Sequence, residues 1–205
     1  MKSSFAYASI IIFTVSFHLL AQSKAKVYWN SGNSKYNIRD YAGAIQDYNK
    51  AIENDPKYYN AYINRGLAEV KIKNYREAIQ DYNKAIEIDS LDNSAYTIRG
   101  IAKDSLLNYK DAILDYDRAI SIKPSDAWSY YNRGNTKYKL TDFQGALKDF
   151  NKAIDYVPKY PQAFRNRGLT KQKLNDKDGA CSDWSKASQF GDSTASILFK
   201  KNCGK

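Results

Sequence analysis

The chemistry available to this chain is that of rings, amides and charges, not of nucleophiles. His18 is its single histidine, and its two cysteines, Cys181 and Cys203, lie near the C-terminus. The sequence contains no glycine-rich phosphate loop, no nucleophile elbow and no Asp-rich calcium loop. Acidic residues are plentiful, but they recur at one fixed spacing, which marks them as structural. The sequence therefore predicts no catalytic residue, no metal site and no cofactor. What it holds in quantity is aromatic surface, with 18 tyrosines and 3 tryptophans in 205 residues. Rings supply contact area at small entropic cost and amides bond to peptide backbone, so the two together suit recognition of another protein.

Such side chains are useful only where a scaffold holds them. Gly32, Gly66, Gly100, Gly134 and Gly168 recur at one constant step without a slip. Ala44, Ala78, Ala112, Ala146 and Ala180 follow the glycines at one fixed offset, and Ala51, Ala85, Ala119, Ala153 and Ala187 at a second. An aromatic residue separates each pair of alanines: Tyr48, Tyr82, Tyr116, Phe150 and Trp184. Residues 44–53 and 78–87 are identical. A fixed period of this length marks a solenoid, whose units bury their apolar faces by stacking on their neighbours. In the second unit Tyr62, Gly66 and Val70, then Ala78, Ile79, Tyr82 and Ile86, recur at three- and four-residue steps, giving one apolar stripe per helix.

With unit starts at Ala25, Tyr59, Asn93, Ala127 and Pro161, this pattern resembles the tetratricopeptide repeat, a helix–turn–helix unit of the same length. The glycine is the eighth residue and the alanines the twentieth and twenty-seventh. A proline at the thirty-second closes three units (Pro56, Pro124 and Pro158), while Ser90 and Asp192 stand there in the other two. The resemblance implies an all-α fold, a right-handed superhelical solenoid of five helix–turn–helix repeats. The units are 25–58, 59–92, 93–126, 127–160 and 161–192, and a capping helix and tail follow over 193–205. Helices are expected at 25–38 and 41–53, 59–72 and 75–88, 93–106 and 109–121, 127–140 and 143–155, and 161–174 and 177–189.

The two ends carry their own signals. Lys2, an apolar run over residues 5–21 and small residues at its exit describe a secretory signal over residues 1–25, cleaved after Ala21 or Ala25. An uncleaved anchor is the alternative, and the hydroxyl residues and His18 within the run argue against stable spanning. An exported chain is expected in the periplasm or outside the cell, and in that setting two cysteines favour a disulfide. If the helices before and after Gly191 fold back on each other, Cys181 and Cys203 meet. The alternative is an inert core Cys181 with Cys203 in a disordered tail.

The seventh position departs from the family, which often has leucine there, for this chain has Ser31, Arg65, Arg99, Arg133 and Arg167. Each unit also has an aspartate at its twenty-third position: Asp47, Asp81, Asp115, Asp149 and Asp183. Because the arginines start one unit late, the expected pairing runs between units, as Asp47–Arg65, Asp81–Arg99, Asp115–Arg133 and Asp149–Arg167. Pairing within a unit is the alternative.

The resemblance also implies where a partner binds. In this family the first helix of each unit lines a concave face, which here presents Trp29, Asn33, Tyr36 and Asn37 in the first unit. The fourth unit presents Trp128, Tyr131, Asn135, Tyr138 and Lys139. The family's clamp for a C-terminal carboxylate retains Asn33 and Asn64 here, or Asn135 and Asn166. Trp29, Ser94 and Ile98 replace its three cations, so that clamp is not expected. Lysines late in the first helices, Lys35, Lys71, Lys73, Lys103, Lys137, Lys139, Lys171 and Lys173, suggest a second reading: a basic stripe for acidic proteins, anionic polymers or a membrane surface, in keeping with a net charge of +10. Nucleic acid is not expected of an exported chain. The leading expectation is a non-catalytic adaptor of a bacterial envelope that holds a protein or peptide segment.

Overall fold

The computed structural model describes residues 2–204, with side chains from residue 20 onward. Every described element is helical. The contacts divide the chain into two compact bodies, Met1–Ser90 and Leu91–Lys205. The first holds α1 (Lys2–Asn37), α2 (Tyr41–Asn54), α3 (Tyr59–Lys71) and α4 (Tyr75–Ile88). The second holds α5 (Asn93–Ser105), α6 (Tyr109–Ile122), α7 (Ala127–Lys139), α8 (Phe143–Tyr156), α9 (Pro161–Lys173), α10 (Lys177–Gln189) and α11 (Ser193–Cys203). Within each body every helix packs on the next, and the first helices of successive units also touch, α1 on α3 and α5 on α7 on α9. This is the all-α repeat solenoid expected from the period.

One boundary differs. The first repeat helix continues upstream without a break to Lys2. The expected signal segment falls mostly on residues whose side chains lie outside the described set. Among the described residues no helix is long and apolar enough to cross a membrane.

The recurring residues make one contact five times. The glycine of each first helix lies against the aromatic ring of the second, so a Cβ added at Gly66 would stand 2.5 Å from Tyr82 Cε1. Tyr48, Tyr82, Tyr116, Phe150 and Trp184 are accordingly almost wholly buried, and the alanines that flank them are sealed. Each unit turns through a residue with left-handed backbone: Arg39, Lys73, Leu107, Thr141 and Asn175, with φ between 62° and 67°. None is glycine, although an L side chain costs about 1–2 kcal/mol in that conformation. Three units begin their second helix with an aspartate that accepts the N–H of a glycine three residues on, as Asp40, Asp142 and Asp176 do at 2.9 Å.

The arginine ladder is corrected by the structure. In place of pairs with the preceding unit's aspartate, the guanidinium closes onto the later aspartate, that of its own unit. Arg65 meets Asp81 at 2.5 Å, and Arg99–Asp115, Arg133–Asp149 and Arg167–Asp183 each close at 2.6 Å. The seventh position lies on the first helix where it faces its own second helix, so the nearer carboxylate wins. A link between units survives at the twenty-fifth position. Arg65 donates to Asn49 at 2.7 Å, Arg167 to Asn151 at 2.8 Å, and Arg133 pairs with Asp117.

A lysine at the eleventh position joins most of these carboxylates: Lys35 at Asp47, Lys103 at Asp115, Lys137 at Asp149 and Lys171 at Asp183. The second unit has Glu69 there instead. Burial pushes the Asp81 carboxyl above the usual carboxylate range despite Arg65. Burial pushes Asp47 up as well, but hydrogen bonds from Lys35 and Ser31 and the charge of Lys35 outweigh it and hold Asp47 below that range.

At the C-terminus Cys181 and Cys203 form the expected disulfide, with Cα atoms 5.8 Å apart and a sequence separation of 22. It fastens α11 to α10, and in the chain-entropy account a loop of this size contributes roughly 3 kcal/mol. Arg165 adds an ion pair at 2.6 Å to Asp192, the residue that caps α11.

These contacts can be tested singly. The hydroxyl of Tyr82 is buried without a partner, for the ninth position of its unit is Leu67, whereas Tyr48 donates to Asn33 at 2.9 Å. Tyr82→Phe should therefore stabilise the chain by about 1 kcal/mol and Tyr48→Phe weaken it by a similar amount. Urea unfolding reads both, and a Tyr82→Phe chain no more stable than its parent would refute the first. Leu107→Gly should raise the melting temperature, since it relieves a strained and 71% exposed leucine; a lowered melting temperature would show that the turn is not strained. Carboxyl NMR titration should find Asp47 below and Asp81 above the ordinary range, with Glu69→Lys bringing Asp81 down. The linked stabilities have opposite signs: Asp47's contribution is lost as pH falls through its depressed folded value, while protonation of Asp81 favours the folded chain as pH falls through its raised value.

Candidate functional site

In the second body a cleft of roughly 340 Å³ opens on the face made by α5, α7 and α9. Ile101 and Asp104 of α5 form one wall, Asn135, Tyr138 and Lys139 of α7 the floor, and Asn166 and Leu169 of α9 the other wall. Phe150 and Tyr116 close the bottom from the second helices. The repeat explains the arrangement: the sixth, ninth, twelfth and thirteenth residues of a first helix share its outward face, and stacking brings three such faces side by side.

The polar groups hold one another in place. Asn166 Nδ2 donates to Asn135 Oδ1 at 2.7 Å and to Tyr131 Oη at 3.2 Å. Tyr131 in turn lies against Tyr160, with ring centroids 5.0 Å apart, and against Phe150 at 6.0 Å. Tyr138 meets Phe143 edge-on at 5.3 Å. Asp104 accepts from Thr136 Oγ1 at 2.6 Å and pairs with Lys139. Burial, reinforced by the Asp104 charge, pushes the Tyr116 phenol far above its ordinary range, so that it stays neutral at any physiological pH.

A second cleft of roughly 280 Å³ opens in the first body, lined by Asn33, Tyr36, Asn37, Tyr48, Asn64 and Leu67. Asn64 Nδ2 donates to Asn33 Oδ1 at 2.7 Å, and the same oxygen accepts from Tyr48. Burial pushes the Tyr48 phenol up to about 12. Trp29 lies against Tyr58 at 5.9 Å, and its indole N–H is buried without a partner.

Most of the expected binding residues are thus brought together, in two groups. Asn33, Tyr36 and Asn64 line one cleft with Trp29 behind them. Asn135, Tyr138, Lys139 and Asn166 line the other, backed by Tyr131. Three expected residues stand apart from both clefts: Trp128 is 39% exposed at the start of α7, and Lys71 and Lys173 are exposed at helix ends. Of the lysines in the suggested basic stripe, Lys35, Lys103, Lys137 and Lys171 are spent on buried aspartates. Asp104 and Thr136 join the cleft from outside the expected set. The one sequence signal for Asp104 is an acidic residue at a twelfth position that holds Tyr36, Val70, Tyr138 and Gln172 in the other units. Among the described residues no cluster of histidine, cysteine or acidic side chains is arranged to hold a metal ion.

Comparison with known proteins agrees with this geometry. Tetratricopeptide repeat models match residues 25–58, 59–90 and 127–160, and a further TPR repeat model matches 108–141. A search of curated proteins found no match. Among solved structures, MamA is 25% identical over 84% of this chain and 94% of its own, with a TM-score of 0.72. YrrB, described as a TPR protein with an unusual peptide-binding site, is 23% identical over 85% of this chain and 90% of its own, with a TM-score of 0.67. PilF of Pseudomonas aeruginosa is 17% identical over 88% and 85%, with a TM-score of 0.78. On its period, its helix-pair contacts and these matches, the chain belongs to the tetratricopeptide repeat family.

Proposed function

We propose that this protein–protein interaction scaffold is a non-catalytic adaptor that holds an extended segment of a partner protein in the cleft of α5, α7 and α9, within the bacterial cell envelope. The observation that carries the reading is the hydrogen-bonded pair Asn135–Asn166, which joins the floor of that cleft to its α9 wall and lines it together with Tyr138 and Leu169. Two amides joined by one hydrogen bond keep further donors and acceptors, which match the N–H and C=O of a peptide group. The ring and the leucine beside them suit an apolar side chain of the same segment. The peptide-binding site named for YrrB, a chain of similar fold, supports the choice of ligand. Export is supported by the charged and apolar start of the sequence and by the Cys181–Cys203 disulfide, a bond suited to an oxidising compartment. The basic-stripe alternative is weakened because half of its eight lysines already neutralise buried carboxylates.

The test is to pan a random-peptide display library over the intact chain and to measure the recovered peptides by fluorescence anisotropy. Asn166→Ala and Tyr138→Ala should each weaken binding at this cleft about tenfold or more, the loss of roughly 1.4 kcal/mol expected when buried polar or ring contacts are removed. Trp128→Ala should leave binding unchanged. Recovery of anionic sequences alone, released by salt and indifferent to both cleft variants, would overturn the reading.

A further inference from the structure

The two clefts are built from the same positions. A shift of three repeat periods carries the lining of the first onto the lining of the second: Asn33 becomes Asn135, Tyr36 Tyr138, Asn64 Asn166 and Leu67 Leu169. The geometry repeats along with the residue types. Both asparagine pairs close at 2.7 Å, with the amide of the following unit donating. Both tyrosines are held edge-on by a ring five residues later, Tyr36 by Tyr41 and Tyr138 by Phe143, each with centroids 5.3 Å apart and interplanar angles of 68° and 64°. Behind each asparagine stands an aromatic pair at the same offset, Trp29 with Tyr58 and Tyr131 with Tyr160.

Packing alone does not require this set. The second unit has Ile63, Leu67 and Val70 at the fifth, ninth and twelfth positions, and the third has Thr97, Ile101 and Asp104. Those units still bury Tyr82 and Tyr116 against their glycines. The ring–amide set is therefore an addition to the scaffold, made in two places and left out between them.

We propose that the chain carries one peptide-binding site twice, at Asn33–Asn64 and at Asn135–Asn166, and takes two copies of the same short extended motif. The inference rests on the peptide reading above and goes beyond it in number and in ligand. In each site the amide pair meets one peptide group of the motif, and an apolar side chain of the motif lies between the edge-fixed tyrosine and the leucine. The sites differ in the hydroxyl joined to the amide pair, Tyr48 on Asn33 in the first and Tyr131 on Asn166 in the second, and at their rims. Lys139, paired with Asp104, stands where the first site has Asn37, so the second site is charged and the first neutral. A motif read by both is consequently recognised through backbone and apolar contacts rather than through its own charge. A partner that presents the motif in two places, or as two copies, gains from the linkage of the two binding events.

The probe is the tightest peptide recovered from the display selection, synthesised and titrated into the intact chain by calorimetry. Two molecules should bind per chain. Asn64→Ala and Asn166→Ala should each reduce the stoichiometry to one, and the double variant should bind none. Leu67→Lys and Leu169→Lys, which fill the same clefts without touching the amides, should reproduce the pattern, and circular dichroism checks that each variant keeps its helix content. One molecule per chain, abolished by Asn166→Ala and indifferent to Asn64→Ala, would overturn the duplication while leaving the adaptor reading intact. A selection that yields no peptide dependent on either asparagine pair would overturn both.

Discussion

The close approach of a glycine on one short helix to an aromatic ring on the next is the contact on which this molecule depends. Helices of about thirteen residues are marginal alone and acquire their stability from packing. Here the first helix can settle on the second only because Gly32, Gly66, Gly100, Gly134 and Gly168 offer no Cβ to the ring. The flanking alanines extend the same logic: small residues where backbones approach, and one large ring where a gap must be filled. Repetition follows, because a single helix pair sealed in this way still shows an apolar face that only another pair can cover.

The polar residues are arranged around that contact. Each buried aspartate at the twenty-third position meets at least one cation from its own first helix, and Asp115, Asp149 and Asp183 each meet two. The arginines at Asn49, Asp117 and Asn151 also reach back across the seam between units. Buried ion pairs of this kind add little net stability but penalise any register that leaves a charge unpaired. Apolar contact supplies the cohesion, and the guanidinium fixes the angle at which neighbours meet. With the scaffold so determined, the fifth, sixth, ninth and twelfth positions are free to vary, and there the rings and amides of the clefts reside.

The fold is legible because a period is a property of sequence, and five copies in phase leave little room for another architecture. The helix limits, apart from the upstream start of α1, and the sealed alanines can be read in the same way, while the disulfide follows from the fold-back of α11 onto α10. The arginine pairing cannot. Arg65 stands at nearly equal chain distance from Asp47 before it and Asp81 after it, so spacing alone does not separate the two partners. The choice depends on the rotation of each helix about its axis, which a repeat pattern leaves undetermined. Trp128 departs from expectation for a related reason, since a residue in the first turn of a helix points away from the cleft formed deeper along it. Asp104 breaks the repeat rather than keeping it, and a search for recurrence passes over singular residues.

The covalent staple at the C-terminus has a mechanical consequence. A linear array of nearest-neighbour contacts melts from its ends, where a terminal helix has one flank to lose and little to hold it in place afterwards. With Cys203 joined to Cys181, α11 can lift from α10 but cannot diffuse away, and each opening is followed by rapid local return instead of a search through solution. Loss of order is thereby given a direction along the array, and under tension the stapled end would be the last to yield.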